Sequence, residues 1–259
     1  MPEQNVRVGR LFDRISGRSF MVALDRTVSA GPEPYAEDAR ALIRSVADAG
    51  ADAMLLSPGL IKQYGSLVAY RGGPALVARI DFPFMPGLGQ GDGEEFRLIA
   101  TVEEAVGLGA DAVAMFLTGG YHDRRVFGDN VAAVASVAAA CRRLGTPLVV
   151  EAVPWGDASP DRQDPKLVAD LCRMAAELGA DLVKTENVGD EMGRVVRSCP
   201  VPVLVLGGPT APLPDILART QEALDAGARG VVFGRNSWQR PDAADAMAQL
   251  RALVHGRTA

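Results

Sequence analysis

LGADLVKTE, residues 178–186, carries the reading of the whole chain. Glycine accepts the left-handed backbone that ends a helix without a Cβ clash, so Gly179 closes whatever helix precedes it. The run that follows is short and apolar and ends in polar residues, as a buried strand does. The same cadence returns in AGADAMLL (49–56), LGADAVAMF (108–116) and AGARGVVFG (226–234). Three further apolar runs follow a proline: GGPALVARI (72–80), GTPLVVEAV (145–153) and CPVPVLVLGG (199–208). Proline suits the first position of a strand, where no ladder hydrogen bond is lost. With SFMVALD (19–25), this makes eight strands.

Between the strands, residues 37–50, 102–109, 130–145, 165–179, 190–198, 214–227 and 242–256 place apolar side chains three and four apart, the spacing of amphipathic helices. Strands alternating with helices predict parallel strands joined by right-handed crossovers. Eight such units predict an α/β fold, a single (β/α)8 TIM barrel over residues 1–259. The competing arrangement is an open doubly wound sheet, but no Gly-x-Gly-x-x-Gly turn follows the first strand. The segment VGRLFDRIS (8–16) is read as a short piece closing the barrel floor.

Composition agrees with that frame. The 259 residues are 48% apolar and 23% charged, which excludes a disordered or fibrous chain. Twenty-seven basic against 32 acidic residues give a net charge of −5, so no basic field exists to draw nucleic acid or an anionic membrane. Cys141, Cys172 and Cys199 are too few and too scattered for a disulfide framework or a zinc ribbon and are read as reduced packing residues. The start lacks the apolar core of a signal peptide, and no apolar run reaches the roughly 18 residues of a membrane span, so a cytoplasmic location is expected.

Two loops are long for strand-to-helix connections, residues 82–95 and 154–165, and both follow strand C-terminal ends, where barrel enzymes keep their chemistry. Of the 27 basic residues only Lys62, Lys166 and Lys184 are lysines. Lys184 lies inside a predicted strand, where burial favours the neutral amine that a Schiff-base nucleophile needs. The alternative is a strand-end lysine that reaches solvent or pairs with Asp25 or Glu186. Asp25 ends the first strand and Glu151 the fifth, and carboxylates near the amine could move the protons of such a reaction. Glu186, two residues beyond Lys184, leans the same way.

Gly207 and Gly208 follow the seventh strand, and Gly234 and Arg235 follow the eighth. Glycine turns with exposed amides and an arginine form a cradle for phosphate, and this is where barrels frequently bind it. With only His122 and His255, no histidine set exists for a catalytic zinc. His255 is read as a solvated helix residue and His122 as a surface one.

The motifs quoted so far, with GRLFDRISG (9–17), VALDRTVSAGP (22–32), LGADLVKTENVGD (178–190) and AGARGVVFGRNSWQRPDA (226–243), resemble the class I aldolases of the archaeal fructose-bisphosphate aldolase type, together with aminodeoxyheptulosonate synthase and the autoinducer-2 thiolase. The resemblance runs nearly end to end. It implies a (β/α)8 barrel, a Schiff base on the lysine of the sixth strand, here Lys184, and a carboxylate at the end of the first, here Asp25. It also implies phosphate held by Gly207, Gly208, Gly234 and Arg235.

Two positions depart from the group. Where it has Asp-His-Gly after the first strand, this chain has Asp25, Arg26 and Thr27, which brings a cation toward the site for a second anionic group or to keep Lys184 neutral. Where the aldolases carry Tyr-Pro-Arg-Gly with a proton-transferring tyrosine, this chain has Val153, Pro154, Trp155 and Gly156. Glu151, two positions earlier on the same strand face, is the substitute. Tagatose-bisphosphate-type aldolases are similar in having glutamate there. The second departure bears on the substrate and not on the lysine chemistry.

The expected protein is therefore a class I aldolase that needs neither metal nor cofactor. It would make or break a C–C bond in a phosphorylated ketone or ketose through Lys184, with Glu151 as acid and base and Asp25 orienting the amine and the hydroxyl. Trp155 and its loop would shape the acceptor pocket. The alternatives are an acyl- or ketol-transferring synthase or thiolase of the same group, and a phosphosugar-binding barrel without activity. Symmetric self-association into a homo-oligomer is expected for an enzyme of this size.

Overall fold

In a computed structural model, which describes residues 6–30, 34–83, 95–156, 158–159 and 161–256, the four repeat glycines Gly50, Gly109, Gly179 and Gly227 all take positive φ, at 75°, 92°, 108° and 103°. Each therefore ends its helix as the sequence requires. The strands are β1 (Ser19–Ala23), β2 (Ala53–Leu56), β3 (Ala75–Arg79), β4 (Asp81–Pro83), β5 (Phe96–Leu98), β6 (Ala112–Gly119), β7 (Leu148–Pro154), β8 (Leu182–Thr185), β9 (Val203–Leu206) and β10 (Gly230–Phe233). Eight of them close a barrel in the order β1-β10-β9-β8-β7-β6-β3-β2, every neighbour parallel. The (β/α)8 expectation holds.

The aspartates of the repeat hold these strands to one another. The Asp52 N–H donates to the Phe20 carbonyl at 2.9 Å, and its carboxylate accepts the Phe20 N–H at 2.6 Å. Asp111 brackets Leu76 in the same way, and Asp181 brackets Leu148. In the fourth repeat Arg229 stands in place of aspartate. Its N–H reaches the Val203 carbonyl, while its guanidinium donates to the Gly17 carbonyl and ties down the entry to β1.

Both faces of the strands are buried, which is why they read as unbroken apolar runs rather than as alternation. Phe20, Val22, Met54, Val113, Met115, Val150, Val183 and Val205 pack outward into the layer formed with the helices. Met21, Leu55, Val77, Ala114, Val149, Leu182, Leu204 and Val232 fill the barrel interior. A 3-10 helix, Val6–Leu11, sends Val8 and Leu11 into that same inner cluster, so the N-terminal segment closes the floor as expected.

Three local readings need correction. The helix expected over 130–145 begins at Arg124, because the Asp123 side chain caps it by accepting from the Arg125 N–H. The ends of the 82–95 loop pair antiparallel as β4 and β5, and residues 84–94 lie outside the described residues. His255 is buried rather than solvated. Its Nδ1 lies 2.9 Å from Ser16 Oγ and its Nε2 3.3 Å from Asp52 Oδ2, which ties the last helix, Ala243–His255, to the barrel floor. Cys141, Cys172 and Cys199 are buried and unbridged. Among the described residues no helix is long and apolar enough to cross a membrane.

Candidate active site

Alternation along a strand decides what lies above the inner core. Two residues beyond Val77, Val149 and Leu182, on the same inward face, come Arg79, Glu151 and Lys184. These are 2%, 6% and 7% exposed, so three charged groups share the upper barrel with little water. Glu151 on β7 is in direct register with Lys184 on β8, and Lys184 Nζ lies 2.8 Å from Glu151 Oε1. Both alternative partners offered for Lys184, Asp25 and Glu186, give way to Glu151 in this geometry.

Arg79 was passed over by the sequence reading. Its Nε donates to Asp25 Oδ2 at 2.7 Å, its Nη1 to Asp81 Oδ1 at 3.4 Å and its Nη2 to Glu151 Oε2. Burial alone would weaken the hold on its proton, but the charges of Asp25, Glu151 and Asp81 outweigh it and keep the guanidinium firmly protonated. Arg79 is thus a second cation against the site's carboxylates, beside Lys184. Arg26 also lines the cavity. The available signal was an arginine ending an apolar strand, the same signal that singled out Lys184.

Above this floor opens a cavity of about 920 Å³ at the C-terminal ends of the strands. All seven residues singled out from sequence line it: Lys184, Asp25, Glu151, Gly207, Gly208, Gly234 and Arg235. Its aromatic wall is a ladder. Arg79 lies 4.1 Å from the Phe116 ring centroid, Phe116 packs 5.4 Å from Trp155, and Arg162 sits 4.8 Å over Trp155. Trp155 and Arg162, both from the long 154–165 loop, line the cavity. Glu186 also faces the cavity. Burial, then the charge of Glu151, raises its pKa, against the opposing pull of Arg162, Lys184 and Arg219.

The two glycine turns are fastened together by Asn236, a buried side chain to which the sequence reading gave no role. Its Nδ2 donates to the Gly207 carbonyl at 2.6 Å and to the Pro209 carbonyl at 2.9 Å, and its Oδ1 accepts from the Ala211 N–H at 3.1 Å. Arg235 Nη2 reaches the Gly208 carbonyl at 3.2 Å. Gly208 has φ +65°, a conformation a side chain would strain. Trp238 Nε1 donates to the Ala23 carbonyl at 2.9 Å, holding the turn after β10 against the end of β1. His122 is exposed on the loop after β6.

Compared with known proteins, residues 19–240 match the model of the DeoC/LacD family aldolase. The chain is 33% identical to 2-amino-4,5-dihydroxy-6-oxo-7-(phosphonooxy)heptanoate synthase of Streptomyces griseus, covering 97% of this chain and 90% of that one. It is 31% identical to the class 1 fructose-bisphosphate aldolase of Thermoproteus tenax, covering 95% and 93%. A solved archaeal fructose-1,6-bisphosphate aldolase, with its catalytic lysine covalently bound to the carbinolamine intermediate of the substrate, superposes with a TM-score of 0.86. That pair shares 30% identity over 97% of this chain and 99% of the other.

Proposed function

The chain belongs to the DeoC/LacD family of class I aldolases, and from that premise we propose that it makes or breaks a C–C bond in a phosphorylated ketone or ketose through a Schiff base on Lys184. The observation that carries the reading is the contact of Lys184 Nζ with Glu151 Oε1, at 2.8 Å inside a cavity that also holds both glycine turns. The names of the two curated relatives, a phosphonooxyheptanoate synthase and a fructose-bisphosphate aldolase, support a phosphorylated sugar as the substrate class.

In the cleavage direction Glu151 Oε1 takes a proton from the Lys184 ammonium, and the freed amine adds to the ketone carbon. The carbinolamine loses water to give a protonated imine, the electron sink of the reaction. Glu151, its proton passed on to the departing water, then removes the proton of the hydroxyl two carbons away. The C–C bond breaks, its electrons enter the imine as an enamine, and the aldehyde leaves. Glu151 then delivers that proton to the enamine carbon, and addition of water to the resulting imine releases the ketone and returns the amine, with Glu151 again ionised. Asp25, held by Arg79, accepts from a hydroxyl of the substrate, while Gly207, Gly208, Gly234 and Arg235 bind the phosphate. Bond formation is the same path reversed.

Borohydride reduction in the presence of dihydroxyacetone phosphate, followed by peptide mass mapping, tests the reading. An adduct is expected on Lys184 and none in Lys184→Met, whose turnover should fall by roughly 10⁴-fold or more. Glu151→Gln should still yield the Lys184 adduct, though more slowly, while losing about 10² to 10⁴-fold in turnover. Turnover without any Lys184 adduct overturns the mechanism.

A further inference from the structure

The reaction just described gives Arg79 only the task of holding Asp25, yet all three of its nitrogens are committed to carboxylates and its face is packed on Phe116. A carboxylate without such a partner can turn about its last torsion and offer either oxygen to a proton. Here Glu151 is divided: Oε2 lies against Arg79 Nη2 and Oε1 against Lys184 Nζ. Resting on the Schiff-base reading of Lys184, we propose that Arg79 is the positioning residue of proton transfer. It clamps Glu151 through Oε2, so that Oε1 alone exchanges protons, on the side where Lys184 holds the substrate.

The guanidinium suits this task for two reasons. Its planar fork meets Asp25, Asp81 and Glu151 at fixed angles, which the single point charge of a lysine cannot do. It also keeps its own proton, so it never competes with Lys184 or the substrate for the proton on Glu151. The charged groups facing Glu151 are then Arg79 from β3, Lys184 from β8 and, further off, Glu186 and Asp81. Arg79 connects strands that are not neighbours in the barrel, since β6 stands between β3 and β7. The clamp therefore needs the closed fold.

The experiment separates imine formation from proton transfer. The final extent of trapping by borohydride, which does not depend on how fast Glu151 frees the amine, reports the first, and exchange of the donor ketone's α-hydrogen with deuterium oxide, followed by NMR, reports the second. In Arg79→Lys, trapping on Lys184 should stay within about threefold of wild type while exchange falls about ten- to a hundredfold. The acidic limb of the exchange–pH profile should also move. Introduced into Glu151→Gln, the same substitution should change exchange by less than about threefold, because the group it acts through is gone. If Arg79→Lys does not accumulate folded, Arg79→Gln combined with Asp81→Asn, which removes a buried carboxylate with the cation, carries the same comparison. Wild-type exchange in Arg79→Lys, or losses that multiply in the double variant, overturns the clamp alone. Absence of any wild-type adduct overturns the Schiff base and the clamp together.

Discussion

Asp81 is 1% exposed, accepts the Phe116 N–H at 2.6 Å and faces Arg79, yet burial outweighs both contacts and its pKa is pushed up to about 6. The folded chain thus holds this proton more tightly than the unfolded chain, whose ordinary value is 3.8. By linkage, the contribution of Asp81 to stability is full below that ordinary value and is lost as pH rises through about 6. Asp81→Asn keeps an acceptor for the Phe116 N–H and has no proton to lose. It should match wild type near pH 4 and exceed it near pH 7.5 by an amount on the order of 3 kcal/mol. Urea midpoints at the two pH values check this. A variant equally weakened at both would show that the carboxylate is retained for its ion pair with Arg79 and carries no titration cost.

At the level of strands and helices, the shared work of the repeats is to brace one strand against another from the floor of the barrel. Asp181→Ala would leave the N–H of fully buried Leu148 without its side-chain acceptor and should cost about 1–3 kcal/mol with little change in kcat/KM. A fall in kcat/KM without loss of stability would contradict that division. The same elements explain what could be read in the sequence. Glycine ends the helix of each repeat through a local backbone requirement and proline precedes three of the strands for an equally local reason, so the eight strands and most helices were legible. Glu151 and Lys184 were each legible as charged residues within apolar strands, but their direct contact was not, since Asp25 and Glu186 were the partners expected for Lys184. Arg79 was not, because its partners Asp25, Asp81 and Glu151 come together only when the barrel closes, and a lone arginine at a strand end looks like a solvated one. His255 was misread for the same reason, since Ser16 and Asp52 reach it from the far end of the chain.

For the molecule as a whole, the two ends of the barrel carry separable duties. The repeat aspartates and the 3-10 segment brace one end, while the amine, the carboxylates and the glycine turns face the cavity at the other. A ligand that binds the folded chain alone stabilises all of it, by about 2.7 kcal/mol at a concentration 100 times its Kd. For a chain of this length each kcal/mol moves Tm by about 2–4 °C, so dihydroxyacetone phosphate near saturation should raise Tm by roughly 5–10 °C. If phosphate is held by the glycine turns and Arg235, Lys184→Met should keep most of that rise and Arg235→Gln should lose most of it. Asp181→Ala should start from a lower Tm and show the full rise, because its site is remote from the cavity. Thermal melts of the three variants with and without ligand read this directly. Equal loss in Lys184→Met and Arg235→Gln would mean that the covalent bond, and not the cradle, supplies the binding energy, and the phosphate site would have to be sought elsewhere on the rim.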